Sequence, residues 1–184
     1  AGIVHRLDKD TSGLMVVART RQAMDALVAQ IAARDVHRQY LALAHKAWAG
    51  PAQKHVEAAI GRDPSNRLRM AVVDLTHQSG KTAATTLDLL AQGERCCLVR
   101  CTLHTGRTHQ IRVHMAHLGH ALIGDGVYGG APLGGMVRQA LHAWRLAFVH
   151  PITGANIDLQ TDWPQDMAAA LQPLGLSYNL KSGI

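Results

Sequence analysis

No apolar run in this chain approaches the roughly 18 residues that a membrane-spanning helix requires. The first residues also lack the tripartite pattern of a signal peptide. A cytoplasmic protein is expected. Cysteine is scarce and confined to one place: Cys96, Cys97 and Cys101 all fall within "RCCLVRC". They are too close together to build a disulfide framework and lack C-x-x-C spacing, so buried thiols of a strand are expected. His114, His117 and His120 recur three apart in "HMAHLGH". No carboxylate or cysteine accompanies them at a known ligand spacing, and no metal site is expected. The glycine-rich "HALIGDGVYGGAPLGG" has no G-x-x-x-x-G-K-S/T spacing and reads as a loop, not as a phosphate cradle. Acidic residues are in deficit, with 13 Asp and Glu against 19 Lys and Arg, a formal charge of +6 before 12 His are counted. Such a surface favours a polyanionic partner such as nucleic acid. What the chain does have is 184 residues, 47% of them apolar, enough for one domain with a sizeable core.

Periodicity supplies the elements. "SGLMVVAR" is a short apolar run of strand character. In "TRQAMDALVAQIAARD", Thr20 is a plausible N-cap, and Met24, Leu27, Val28 and Ile31 recur at helical spacing as one core face. "HRQYLALAH", "KHVEAAIG", "LRMAVVD", "TAATTLDLL" and "ERCCLVRCTLH" read as strands separated by turn residues. "THQIRVHMAHLG" changes period: Ile111, Met115 and Leu118 form one face of a helix that Gly119 ends, and Arg112 falls outside that face. "WRLAFVH" and "ANIDLQ" flank the "PITG" turn, and a last helix starts near Pro164, in the first turn. Many strands with few helices and no βαβ alternation indicate an α+β fold with a largely antiparallel, mixed sheet and flanking helices. Residues 1–184 read as a single domain without repeats or linkers.

Three stretches stand out together: "HRLDKDTSG" from His5, the "RQY" ending at Tyr40, and "GRTHQIRVHMAHLGH" from Gly106, followed by "IGD" and "VYGG". They resemble the signature stretches of the RluA-type pseudouridine synthases. "RQALHAWRLAFVHPITG" and the later "PQDM" are similar to the RluD-like branch in particular. The resemblance implies a pseudouridine synthase fold with a central RNA-binding cleft and a cofactor-free isomerisation of specific uridines. Large-subunit ribosomal RNA is the implied substrate, with transfer RNA or a dual substrate as the alternative. A monomer is expected. A non-catalytic RNA-binding module is the reading from a different class.

That reaction breaks the bond from ribose C1′ to N1, rotates the freed uracil and joins C5 to C1′. A carboxylate suits it, because a carboxylate can stabilise or trap developing positive character at an anomeric carbon. The resemblance assigns this role to Asp8, and attack at C1′, attack at C6 and assistance to a glycal-forming elimination all stay open. It assigns Arg112 as the cation that keeps the carboxylate charged and oriented, and Tyr40 as the ring that lines the pocket against the base. A uridine in a stem-loop must leave its stack first. Arg6 is the candidate to fill the vacated place, with His5 as helper. Lys9, Arg107 and His109 are expected to contact RNA or support the site. Asp10, Thr11, Ser12 and Gly13 are expected to shape the turn that presents Asp8, and Asp125 to be a structural hydrogen-bond acceptor in its loop. Relatives of this family usually carry a further catalytic-domain strand, and many a small S4 RNA-binding domain, ahead of the stretch where this sequence starts.

Overall fold

A computed structural model describes residues 2–182. In chain order its elements are β1 (Gly2–Ile3), β2 (Ser12–Gly13), β3 (Val17–Ala18), α1 (Arg21–Ala32), β4 (His37–His45), β5 (Gln53–Glu57), β6 (Ile60–Arg62), β7 (Met70–Val72), β8 (Ala84–Gln92), β9 (Cys96–Leu103), α2 (Gln110–His117), β10 (Leu141–Val149), β11 (Asn156–Gln160) and α3 (Gln165–Leu171), followed by a 3-10 turn at Leu180–Ser182. Six strands lie in the order β11-β10-β4-β9-β8-β5, all antiparallel to their neighbours. The seventh, β2, runs parallel to β10 and pairs Ser12 with His142 and Gly13 with Ala143. β11 takes the same edge of β10 from Arg145 onward, so two strands share one edge and the sheet is mixed. The α+β expectation is met.

β4 lies at the centre, and the alternation of side chains across a strand divides the core in two. Tyr40, Ala42 and Ala44 enter a cluster with Leu87, Val99, Cys101, Ile111 and Met115 under α2. Leu41 and Leu43 enter another with Leu98, Met136, Trp144, Met167 and Ala170 under α3. Residues 40–44 are all buried, because a central strand covered on both faces has no solvent side.

Most elements lie where periodicity put them, with four differences. "KHVEAAIG" is not one strand: β5 ends at Glu57 and pairs with β8, whereas β6 starts at Ile60 and pairs with β7 in a separate two-stranded sheet. "SGLMVVAR" is two short strands with a turn between them, because β2 pairs with β10 while β3 pairs with β1. On α1 only Leu27 is fully buried, and Val28 is 49% exposed: the helix lies at the periphery and buries a narrower stripe than its sequence offers. Pro164 is the N-cap of α3 and sits just outside the first turn. Thr20 caps α1 as expected, accepting a hydrogen bond from the Ala23 amide at 3.1 Å. Cys96, Cys97 and Cys101 are free, buried thiols of β9. Burial pushes the Cys97 thiol up to about 12 and raises Cys101 still further.

The chain leaves β9 through "TGRTHQ" and enters α2 at His109, which adopts the left-handed conformation, φ 57°. Gln110 fixes this entry. Its side-chain oxygen accepts from the Thr105 hydroxyl at 2.7 Å and the Arg107 amide at 3.0 Å, and its nitrogen donates to the Ala84 carbonyl and the Thr85 hydroxyl. All four bonds are used, which satisfies a buried amide completely. His114 is likewise committed: one ring nitrogen donates to the Ala58 carbonyl, so the other accepts from the Thr85 hydroxyl at 2.9 Å. No helix among the described residues is long and apolar enough to cross a membrane.

Candidate active site

The "HRLDKDTSG" stretch folds into a turn whose shape is set locally and whose position is set by distant residues. The Thr11 amide donates to the Asp8 carbonyl at 3.0 Å, and Asp10 has φ 68°. Gly13 has φ 117°, and a Cβ there would lie 2.2 Å from the Ala143 carbonyl oxygen. Only glycine lets β2 approach β10 this closely. Arg138 donates to the Asp10 carbonyl and the Ser12 hydroxyl while its guanidinium pairs with Asp166. The Gln139 amide donates to the Lys9 carbonyl and the Thr11 hydroxyl. The turn is therefore pinned by residues more than a hundred positions away. Sequence reading did not single out Arg138 or Gln139, although both stand in "RQALHAW".

Asp8 opens onto a cleft of about 240 Å³ lined also by His5, Arg6, Arg38, Tyr40, Arg107 and His109. Among the described residues it is the one carboxylate on the cleft wall. Arg112 lies beneath it. Arg112 Nη1 donates to Asp8 Oδ2 at 3.4 Å, and the Asp8 side chain is 17% exposed against 6% for Arg112. Arg112 thus does not line the cleft, as its place off the Ile111 face suggested, but backs the carboxylate from inside.

Asp125 is a structural hydrogen-bond acceptor, as expected, and the structure adds its partner, Arg112. Arg112 Nε donates to Asp125 Oδ2 at 2.8 Å and Nη2 to Oδ1 at 3.0 Å, with Asp125 1% exposed. This bidentate pair is shorter and better aligned than the contact to Asp8, and such forks fix orientation as well as charge. Burial alone would lower the Arg112 pKa, but the hydrogen bonds and charge of Asp125, with the charge of Asp8, hold it above its ordinary value. Tyr128 completes the nest: its ring centroid is 5.0 Å from Arg112 Cζ, within cation–π range. Its hydroxyl bonds His109 Nδ1 at 2.7 Å and accepts from the Met70 amide at 3.0 Å. The "IGD" and "VYGG" pieces were legible as motifs, but their contact with Arg112 was not.

Tyr40 is 6% exposed on the cleft wall, and burial pushes its phenol up to about 12. It is a neutral ring with a proton to give, not a base. His5 has a pKa lowered to about 4, first by burial and then by the Arg38 charge. Burial, followed by the Arg112 charge, also lowers His109. Arg6 and Lys9 are exposed beside Asp8. Arg107 Nε donates to the Thr82 carbonyl at 2.8 Å, which ties it to the loop before β8. All eight residues predicted from sequence stand in or around one cleft. The arrangement can hold one carboxylate beside a flat ring in a cationic groove.

Comparison with known proteins places the chain among relatives. The family model described as RNA pseudouridylate synthase matches residues 1–117. The chain is 47% identical to the ribosomal large subunit pseudouridine synthase D of Xanthomonas campestris over 95% of its length, covering 55% of that relative. It is 43% identical to the Escherichia coli protein of the same name over 97% of its length, covering 57% of it. The chain thus spans about half the length of the curated relatives it matches. The solved structure of human RNA Pseudouridylate Synthase Domain Containing 1 superposes with a TM-score of 0.79 at 28% identity, over 98% of this chain and 77% of that one.

Proposed function

The chain belongs to the RNA pseudouridylate synthase family, and on that premise we propose that it isomerises specific uridines of large-subunit ribosomal RNA to pseudouridine. The observation that carries this reading is the Asp8 carboxylate on the wall of a cationic cleft, held from behind by a guanidinium that a second, deeper carboxylate orients.

In the reaction the C1′–N1 bond breaks, the freed uracil turns, C5 bonds to C1′, and the proton that C5 loses is balanced by the one N1 gains. No redox partner enters the balance. Asp8 is the reagent that meets the electron-poor carbon. Arg112 keeps it aimed and supplies the counter-charge from behind, through the 3.4 Å contact between Arg112 Nη1 and Asp8 Oδ2. Tyr40 supplies the flat face for the base and, with its proton retained at neutral pH, a donor instead of an acceptor. Arg6, exposed at the mouth, fills the stack that the uridine leaves, with His5 behind it. Lys9, Arg107 and His109 serve the RNA strand or the loops that hold it. The reading includes action as a monomer in the cytoplasm, and transfer RNA is the alternative substrate within the same chemistry.

The test is pseudouridine mapping by carbodiimide labelling and primer extension on unmodified ribosomal and transfer RNA, with the protein and its Asp8→Asn form. Asp8-dependent signals at defined ribosomal positions are expected. Signals in transfer RNA alone would move the substrate, and none in either RNA with binding intact would leave an RNA-binding module.

A further inference from the structure

Arg38 is two residues before Tyr40 on β4, and the two-residue repeat of a strand puts both side chains on the cleft face. The Arg38 residue is 7% exposed, yet its guanidinium makes no ion pair and no hydrogen bond among the described residues, and its Nε is a buried donor without an acceptor. Among the described residues the other buried arginine, Arg112, is paired with Asp125 and Asp8, and even the half-buried Arg100 and Arg138 are paired, with Asp88 and Asp166. A buried guanidinium without a counter-charge is costly in a finished structure.

His5 repeats the pattern next to it. The Val16 amide can only donate, so His5 Nε2, at 3.0 Å, accepts from it. In the neutral ring the proton must then sit on Nδ1, and Nδ1 is the second buried cleft-wall atom without a partner. Two N–H donors on one wall, one of them charged, call for an acceptor that brings negative charge. Asp8 does not supply it, since it is already held by Arg112 on its other side. Gly106 leaves the space: a Cβ there would come 2.7 Å from Arg38 Nη1.

We propose that Arg38, with His5 beside it, binds a phosphodiester of the RNA strand at the nucleotide that enters the Asp8 cleft. The ligand class follows from the donors. A planar guanidinium fork matches two phosphate oxygens, and a base carbonyl would leave the charge uncompensated. The proposal rests on the reading of the cleft as an RNA site. It assigns to Arg38 the positioning of the strand, and separates it from Arg112, whose charge is spent inside the protein.

The test compares the wild type with Arg38→Met, Arg38→Lys and Gly106→Ala, using an unmodified large-subunit ribosomal RNA transcript in filter-binding and pseudouridine-formation assays. Met fills the same volume without a charge, and each lost phosphate contact lowers the slope of log affinity against log salt by roughly 0.7 to 0.9. Arg38→Met is therefore expected to lose one such increment and to raise KM about tenfold, more than it lowers kcat. Arg38→Lys keeps the slope. Gly106→Ala displaces the fork, raises KM, and adds little to Arg38→Met in the double variant. An unchanged slope and KM in Arg38→Met overturns the proposal, and so does a raised KM with an unchanged slope, which assigns the guanidinium to a neutral carbonyl. If Arg38→Met does not fold, Gly106→Ala decides: an unchanged KM overturns the site. A wild type that binds RNA but forms no pseudouridine overturns the function alone, and the phosphate site is then judged on the salt slope.

Discussion

Asp125, not Asp8, is the closer partner of Arg112: two bonds of 2.8 and 3.0 Å run to Asp125 and one of 3.4 Å to Asp8. The cation is anchored in the interior and offers its remaining edge to the carboxylate at the cleft. On the proposed function, stability and turnover fall to different ends of one guanidinium.

Asp125→Asn should therefore act first on stability. Removing one partner of a buried ion pair typically costs about 3 to 5 kcal/mol, and the low end is expected because Asp8 still faces the cation. Urea unfolding followed by circular dichroism measures it. A loss no larger than that of Asp8→Asn would contradict the anchoring role.

Asp8→Asn should abolish pseudouridine formation and leave RNA affinity within a few-fold. The side chain keeps its size and loses its charge, and Arg112 stays paired with Asp125. The stability cost should be about 1 kcal/mol, that of one weakened hydrogen bond. Retained turnover in this variant would remove Asp8 from the chemistry.

Arg112→Met should lose activity and also stability, by about 3 to 5 kcal/mol, because Asp125 at 1% exposure is left charged and unpaired. The double variant Arg112→Met with Asp125→Leu should recover most of the stability and none of the activity. Independent, additive losses in a double-mutant cycle would mean that the pair is not coupled.

Acid should weaken the fold as soon as pH falls below about 6.5. His5 titrates near its ordinary 6.5 when unfolded and at about 4 when folded, so between these values the unfolded chain binds the extra proton. Its contribution is complete above about pH 6.5 and is lost as pH falls toward 4. His104, His109, His114 and His142 are lowered as well, each chiefly by burial, and add to the same slope. Melting temperature measured from pH 7.5 to 4 should fall, and His5→Gln should flatten the curve. An unchanged curve in that variant would show that the ring is not held neutral by the fold.

The three thiols should be inert in the native state. Cys96, Cys97 and Cys101 are 0 to 2% exposed, and burial raises all three above the ordinary thiol range. A thiol reagent at pH 8 should label none in buffer and three in guanidinium. Rapid labelling of native protein would place β9 at a mobile edge instead of the centre of the sheet.

Local pattern in the sequence determined most of the strands and helices, the start of α1 at Thr20, the end of α2 before Gly119, and the three stretches that resemble the family's signature. These depend on neighbours a few residues apart, through caps, periodicity and turn residues such as Thr20, Gly119 and Gly13. Only the tertiary structure decided what those side chains meet. The Asp8–Arg112 contact closes over 104 residues and the Arg138 and Gln139 bonds to the Asp8 turn over 126 to 130, and no periodicity encodes a partner at that range. Val28 shows the same limit from the other side, since an apolar residue at helical spacing is exposed when nothing packs over it. Arg38 is the sharpest case. In sequence it is one more basic residue beside a tyrosine, and it becomes a candidate ligand-binding group only because folding buries its charge in the cleft without giving it a partner.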